Sequence, residues 1–330
     1  MTVESPLKPL TLDGEVDKNF DDSSNLSFRL NRYEQAHRRA LDMAGHIVSL
    51  DSNQGGEDLN HLAGLLRDCG SYLVFRDYYT VGKIRLHAAS FCRKHLLCPL
   101  CAIRRGAKAL KAYTDKLSVL LTDDPLLKPY LVTFTLKNGP DLGERFNHFF
   151  RSMTRYTDKR REALKIKKHG RSCVPVEMNK AKGGVSSIEV KRGSGSDLWH
   201  VHSHGVWLCA VPPDAVKLAA EWKEITGDSF IVDVRPFTGN TMEDYLKGFM
   251  EVFKYAVKFS SMEFADNWDV YNLLSGRRLI NSFGVFRGVV IPEELTDEVL
   301  DDLPYLEMIY RYLENGAGYS LSNYELKDAI

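Results

Sequence analysis

Several things are scarce or missing from this chain of 330 residues, and each absence removes a class of protein. No run of about 18 apolar residues occurs, which argues against a membrane-spanning helix. The first twenty residues lack a basic start followed by an apolar stretch, so no signal peptide is expected and the expected compartment is the cytoplasm. Net charge is also missing, with 44 Lys+Arg against 44 Asp+Glu. There is no internal repeat and no long low-complexity tract. A hydrophobic share of 44% with 11% aromatics argues against a disordered or collagenous chain and suits one large or two smaller domains. No His-Glu-x-x-His and no Gly-x-Ser-x-Gly are present, which removes two common hydrolase types. Cysteine is sparse, at 6 residues, and three of these crowd into ten positions, a pattern that favours metal ligation over a disulfide framework.

The zero net charge hides an asymmetry. Residues 81–171 hold 21 Lys/Arg and only 7 Asp/Glu, while residues 291–330 hold ten acidic and two basic side chains. A basic block within a neutral chain fits a surface that meets a polyanion, although a solvated helix face fits as well.

Periodicity organises the rest. Residues 1–28 read as a loose acidic tail, and 29–68 as helical material broken by a turn-rich stretch at 51–58. Residues 72–90 alternate like strands, and 102–121 form an amphipathic helix. From 130 to 259 the order is β-α-β-β-α-β-α, with strands at 130–136, 185–191, 198–208 and about 230–236, and helices at about 143–169, 213–225 and 241–259. Interleaving of this kind predicts an α+β fold, an antiparallel sheet with helices packed on it.

The most informative segment is Trp199-His200-Val201-His202-Ser203-His204. Side chains alternate along a strand, so His200, His202 and His204 share one face, where two imidazoles two residues apart can bind one divalent cation. Glu189, in the preceding strand, is the best candidate for a third ligand. A His-x-His-x-Asp-His hydrolase does not fit, because His204-Gly205, or Val206-Trp207 in the next register, stand where it needs an acid and a histidine. Downstream, Glu251 and Tyr255 are four apart on a predicted helix, with Lys258 on the same side. Such a helix is, by itself, more often a buried tyrosine beside an exposed Glu–Lys pair. A metal that activates a phosphodiester would instead let Tyr255 attack it, with Glu251 as general base for a resolving water and Lys258 holding a phosphate.

The cysteine cluster reads His87-x4-Cys92-x5-Cys98-Pro-x-Cys101. Cys98 and Cys101 have zinc-knuckle spacing and Cys92 adds a third thiolate; the fourth ligand is His87 or His95. Cys69, Cys173 and Cys209 are read as ordinary thiols. Arg104, Arg105, Lys108 and Lys111, together with Arg160, Arg161 and Lys165 on the later basic helix, are expected to meet DNA.

In this order the pieces resemble the replication initiator (Rep) proteins of rolling-circle plasmids, in the HUH endonuclease superfamily, and within them the group that pairs a glutamate with a single tyrosine. The carrying motifs are Leu131–Asn138, Trp199–Leu208, and Glu251, Lys254, Tyr255 and Lys258. The Phe-Cys…Cys-Pro-x-Cys…Arg-Arg segment and Gly276-Arg277-Arg278-Leu279…Ser282-Phe283-Gly284 also look like this group, and the likeness covers about 84–288. Departures occur at Val201, where the family commonly has Pro, at Ser203, where it has a bulky apolar residue, and at Gly205. The metal pair is therefore His200/His202 or His202/His204, and alignment with the family's last two histidines favours the second. The resemblance implies an HUH-type domain with about five antiparallel strands flanked by helices, the histidine strand central, after a small zinc-knuckle segment. It also implies a Mg²⁺- or Mn²⁺-dependent nickase and strand transferase joined to DNA through Tyr255; the cysteine spacing separately predicts a structural Zn²⁺. Expected partners are plasmid origin DNA, single-stranded at the nick, with a host helicase and DNA polymerase. The expected division is 1–70 accessory, 71–125 zinc knuckle and DNA binding, 126–265 catalytic and 266–330 acidic accessory. The rival readings are a transposase or relaxase with the same chemistry, and a non-catalytic zinc-dependent DNA-binding regulator. Transposases with a similar cysteine cluster usually carry two tyrosines one helical turn apart, whereas position 251 is Glu.

Overall fold

The computed structural model describes residues 25–50, 58–172, 174–193, 196–239, 241–253, 262–313 and 318–328. The side chains at 242, 243 and 251 are also outside the description. Contacts divide the described residues into two compact units. One draws on those within Met1–Lys108, Ala256–Tyr271 and Pro292–Ile330, and the other on those within Ala109–Tyr255 and Asn272–Ile291.

In the first unit, α1 (Leu26–Ser49) starts at Asn25, whose side chain accepts the Phe28 N–H, and α2 (Leu59–Asp68) starts at Asp58, which caps two N–H groups. Ala36, Ala40, Met43, Ala44 and Ile47 recur at helical spacing on the buried stripe of α1, and Leu62, Ala63 and Leu66 do so on α2. β1 (Tyr72–Tyr78) and β2 (Lys83–Ala89) form a hairpin. α3 (Pro99–Asp123) begins in this unit and ends in the second.

The second unit is built on β3 (Lys128–Thr135), α4 (Leu142–Lys168), β4 (Ala181–Arg192), β5 (Trp199–Cys209), α5 (Ala215–Thr226), β6 (Val232–Pro236) and α6 (Met242–Phe253). This is the β-α-β-β-α-β-α order expected from periodicity. After α7 (Phe264–Leu274), β7 (Ile280–Gly284) completes a five-stranded sheet in the order β6-β3-β5-β4-β7, antiparallel throughout. The α+β expectation holds, and the histidine strand is central.

The sheet is covered on both faces. Phe134 and Trp207 project from one face, 5.9 Å apart, and Phe134 meets Tyr156 of α4 and Trp222 of α5 at ring centroid distances of 5.7 and 5.0 Å. The opposite face, which carries the histidines, receives α6. There Phe249 and Phe253 pack with Tyr113 of α3 and Phe286. The Ser187 hydroxyl of β4 donates to the Val252 carbonyl, fixing the end of α6 over this face.

The acidic C-terminal segment contributes two strands. β8 (Tyr305–Leu313) and β9 (Gly318–Lys327) pair, and β8 also pairs with β1, giving a second antiparallel sheet in the order β2-β1-β8-β9.

Candidate functional site

Register builds the first cluster. β4 and β5 pair with Glu189 opposite His202 and Ser187 opposite His204, while on the other side of β5 Thr133 lies opposite His204. Cross-strand partners share a face, so the carboxylate and two imidazoles converge. His202 Nε2 and His204 Nε2 are 3.1 Å apart, and Glu189 Oε2 lies 3.5 and 3.6 Å from them. Two nitrogens each about 2.1 Å from one ion at a right-angled or wider setting stand about 3.0–3.4 Å apart, so the spacing fits shared ligation. One carboxylate and two imidazoles with remaining positions open form a donor set suited to a divalent ion.

Burial gives the cluster a direction. The side chains of Glu189 and His202 are 2% and 6% exposed and that of His204 is 17% exposed, so the group opens to solvent on the His204 side. His204 Nδ1 is 3.0 Å from Thr133 Oγ1. With Nε2 offering its lone pair to an ion, Nδ1 carries the proton and donates to that hydroxyl, which fixes the tautomer. The buried Nδ1 of His202 has no hydrogen-bond partner among the described residues. The His200 ring lies 4.7 Å from that of His202, but its Nδ1 is turned to Asn138 Oδ1 at 2.8 Å and it is not part of the Glu189 group. Burial, reinforced by His202 and Lys191, pushes its pKa down to about 4. Of the two histidine pairs left open by the sequence, His202/His204 is the one whose ring nitrogens meet beside Glu189.

The second cluster consists of thiols. Cys69, Cys92, Cys98 and Cys101 bring their sulfurs within 4.8 Å of one another. Cys92, Cys98 and Cys101 are the thiols of the expected knuckle; Cys69, expected to be an ordinary thiol, is the fourth. His87 on β2 and His95 do not join the group. No spacing pattern links Cys69 to Cys92. The signal that could have found it was the Cys69-Gly70 step at the end of a helix, which forces a sharp turn back toward the cluster.

The basic residues divide. Arg104 is buried: its guanidinium donates to the Leu295 carbonyl at 2.6 Å and to the Tyr33 hydroxyl at 3.2 Å, and it pairs with Asp297. Arg160 is buried too, donating to the carbonyls of Met178 at 3.3 Å and Ala181 at 3.0 Å, with its guanidinium 4.8 Å from the Phe283 ring. Both face the interior and are taken out of the expected DNA-contacting set. Helical spacing carried the signal, because Arg160 continues the buried stripe of Phe149, Tyr156 and Ala163. Arg105, Lys108 and Lys111 are half-buried, with Lys111 3.1 Å from Asp115, whereas Arg161 and Lys165 are exposed. Tyr255 and Lys258 lie outside the described residues, and Glu251 is on α6 with its side chain undescribed.

A family model for replication proteins (Rep_1) matches residues 83–309, more than half of the chain. The chain belongs to this replication protein family. The motif span of 84–288 lies within that match, and the resemblance drawn from the motifs holds. The chain is similar to a protein named Protein rep from Streptococcus pneumoniae serotype 2, 24% identical over 293 residues that cover 78% of this chain and 87% of the relative. Another Protein rep, from Bacillus amyloliquefaciens, is 26% identical over 312 residues, 85% of this chain and 87% of that one. A third, from a Bacillus species, is 26% identical over 279 residues, 75% and 85% of the two chains. No solved structure matches the chain significantly. Among the described residues, no helix is long and apolar enough to cross a membrane.

Proposed function

We propose that the chain initiates rolling-circle replication of a plasmid as an HUH-type nickase and strand transferase. It binds the double-strand origin and opens one strand through Tyr255. The observation that carries this reading is the convergence of Glu189, His202 and His204 on the sheet face that also receives the end of α6, the helix that leads toward Tyr255.

A Mg²⁺ or Mn²⁺ ion held by Glu189, His202 and His204 would polarise the scissile phosphodiester and neutralise charge building on phosphorus. The Tyr255 oxygen attacks that phosphorus and loses its proton. The bond to the 3′ oxygen breaks, and this oxygen takes up a proton to become the 3′-hydroxyl primer for a host polymerase. The 5′ phosphate stays on Tyr255. Glu251 then accepts a proton from the water that resolves this linkage, and Lys258 holds a phosphate oxygen. Membership of a replication protein family supports origin DNA as the partner; a host helicase would open the duplex ahead of the polymerase. Exposed Arg161 and Lys165 and half-buried Arg105, Lys108 and Lys111 would track the DNA backbone.

Supercoiled DNA carrying the chain's own replicon tests this reading. With Mn²⁺ or Mg²⁺ the wild-type chain should convert it to open circles, and chelator or Glu189→Gln should abolish the conversion. Binding without nicking in either metal would overturn the proposal in favour of a non-catalytic DNA-binding regulator. Nicking at transposon ends in place of the origin would keep the chemistry and overturn the replicative role.

A further inference from the structure

We infer that Cys69, Cys92, Cys98 and Cys101 form a four-thiolate structural zinc site, and that Cys69 rather than a histidine closes it. The site lies in the first unit and uses none of the residues assigned to nicking. Three Sγ–Sγ separations are 3.4 Å (Cys69 to Cys98), 3.6 Å (Cys69 to Cys101) and 3.6 Å (Cys92 to Cys101). A disulfide needs sulfurs about 2.05 Å apart, so these thiols are not bonded in pairs. Tetrahedral ligands about 2.3 Å from one zinc ion stand about 3.8 Å from one another, close to the observed spacing. Four sulfurs gathered around one point leave room for a single ion and not for a cluster whose thiolates sit on separate irons.

The surroundings hold the thiols in place from both sides. Cys98 and Cys101 flank the start of α3, where Pro99 needs no N–H partner and the unpaired N–H groups favour nearby thiolate charge. Arg93 has φ 59°, turning the chain sharply between Cys92 and Cys98, and the Cys92 N–H donates to the Cys69 sulfur at 3.4 Å. On the Cys69 side, buried His37 Nδ1 donates to the Cys69 carbonyl at 2.6 Å. Tyr319 of β9 donates to the Gly70 carbonyl at 2.7 Å, and the N–H of Gly70 donates to the Ser90 carbonyl at 2.8 Å. Gly70 has φ +83°, and a Cβ there would come within 2.9 Å of Leu100, so the turn that aims Cys69 at the group requires glycine. Cys69 follows α2, Cys92 follows β2, and the other two open α3. An ion at their centre would therefore tie together three stretches of the first unit.

The test is the metal content of the full-length chain purified without chelator. One zinc per chain is expected. Cys69→Ser should retain about a tenth of that or less after dialysis against chelator, whereas Cys209→Ser, His87→Ala and His95→Ala should each keep one. In case Cys69→Ser fails to fold, the wild-type chain gives a second reading. Stepwise modification with a mercurial reagent should release zinc as four thiols react, and the cobalt-exchanged protein should show the absorption of a tetrahedral four-thiolate centre. A folded chain without zinc, stoichiometric iron, zinc kept by Cys69→Ser, or zinc lost from either histidine variant would each overturn the assignment. Since zinc content is read without DNA, failure here is separable from failure of the nicking proposal.

Discussion

Thr133 belongs to a different strand from His204, yet its hydroxyl oxygen 3.0 Å from His204 Nδ1 decides which ring nitrogen faces Glu189. Outer partners of this kind typically govern ligand affinity by about 10–100-fold. Thr133→Val, which keeps the shape and removes the oxygen, is accordingly expected to raise the Mn²⁺ concentration for half-maximal nicking by about tenfold. An unchanged half-point would contradict the role given to Thr133. The two histidine pairs separate in the same assay. His202→Ala and His204→Ala should lose about 100-fold or more in nicking rate, while His200→Asn should stay within about threefold, because its nitrogen is engaged by Asn138. Equal losses at all three positions would contradict the His202/His204 assignment. Period-two alternation made the shared face of the three histidines legible in the sequence. What it could not supply was the neighbouring strand's register, which separates His200 from the pair and sets Glu189 opposite His202. For Cys69 the shortfall was of another kind: the Cys69-Gly70 step signals a turn at the end of α2, but not that the turn meets thiols 23 or more residues further on.

Elements show the same division between local and distant information. Strong helical stripes and alternation located α3 to α5, β3 to β6 and the start of α6 to within a few residues, because each pattern is local; the expected end of α6 near 259 lies outside the described residues. β8 and β9 escaped notice because acidic composition masked their alternation and their partner β1 lies more than 200 residues upstream. The segment that precedes β8 is fastened by a buried charge cluster. Asp297 accepts from Arg29 at 2.7 Å and from the Leu86 N–H at 2.6 Å and also pairs with Arg104, while Tyr33 bridges the two arginines. Burial alone would raise the Asp297 pKa, but Arg104 and Arg29 outweigh it and hold the carboxyl well below its ordinary value near 3.8. A depressed carboxyl contributes stability that is complete above the unfolded pKa and declines as pH falls below it. Asp297→Asn should therefore cost about 3 kcal/mol at pH 7, since it leaves two arginines facing a neutral group. Urea unfolding should show that deficit at neutral pH and its shrinkage below about pH 4. Equal stability at pH 7 would contradict the fastening role.

For the whole molecule, the balance of 44 basic and 44 acidic residues makes net charge a poor guide, and the exposure of each basic group matters more. The charge run at 81–171 was legible as a block, but its division into inward and outward members was not, since Arg104 and Arg160 became structural through packing. Arg161→Ala with Lys165→Ala should flatten the salt dependence of origin binding by about 2 in log–log slope without lowering stability. Arg160→Ala should instead lower stability, because it removes bonds to the Met178 and Ala181 carbonyls. A slope unchanged in the double variant would move DNA contact to another surface. Chemistry gives the sharpest test of the whole. The chain, incubated with Mn²⁺ and a single-stranded oligonucleotide spanning its nick site, would be digested and the DNA-linked peptide identified by mass spectrometry. The nickase reading predicts one adduct, a 5′ phosphate on Tyr255, that is absent from Tyr255→Phe. An adduct on Tyr245 or any other residue, or nicking with no adduct at all, would contradict it.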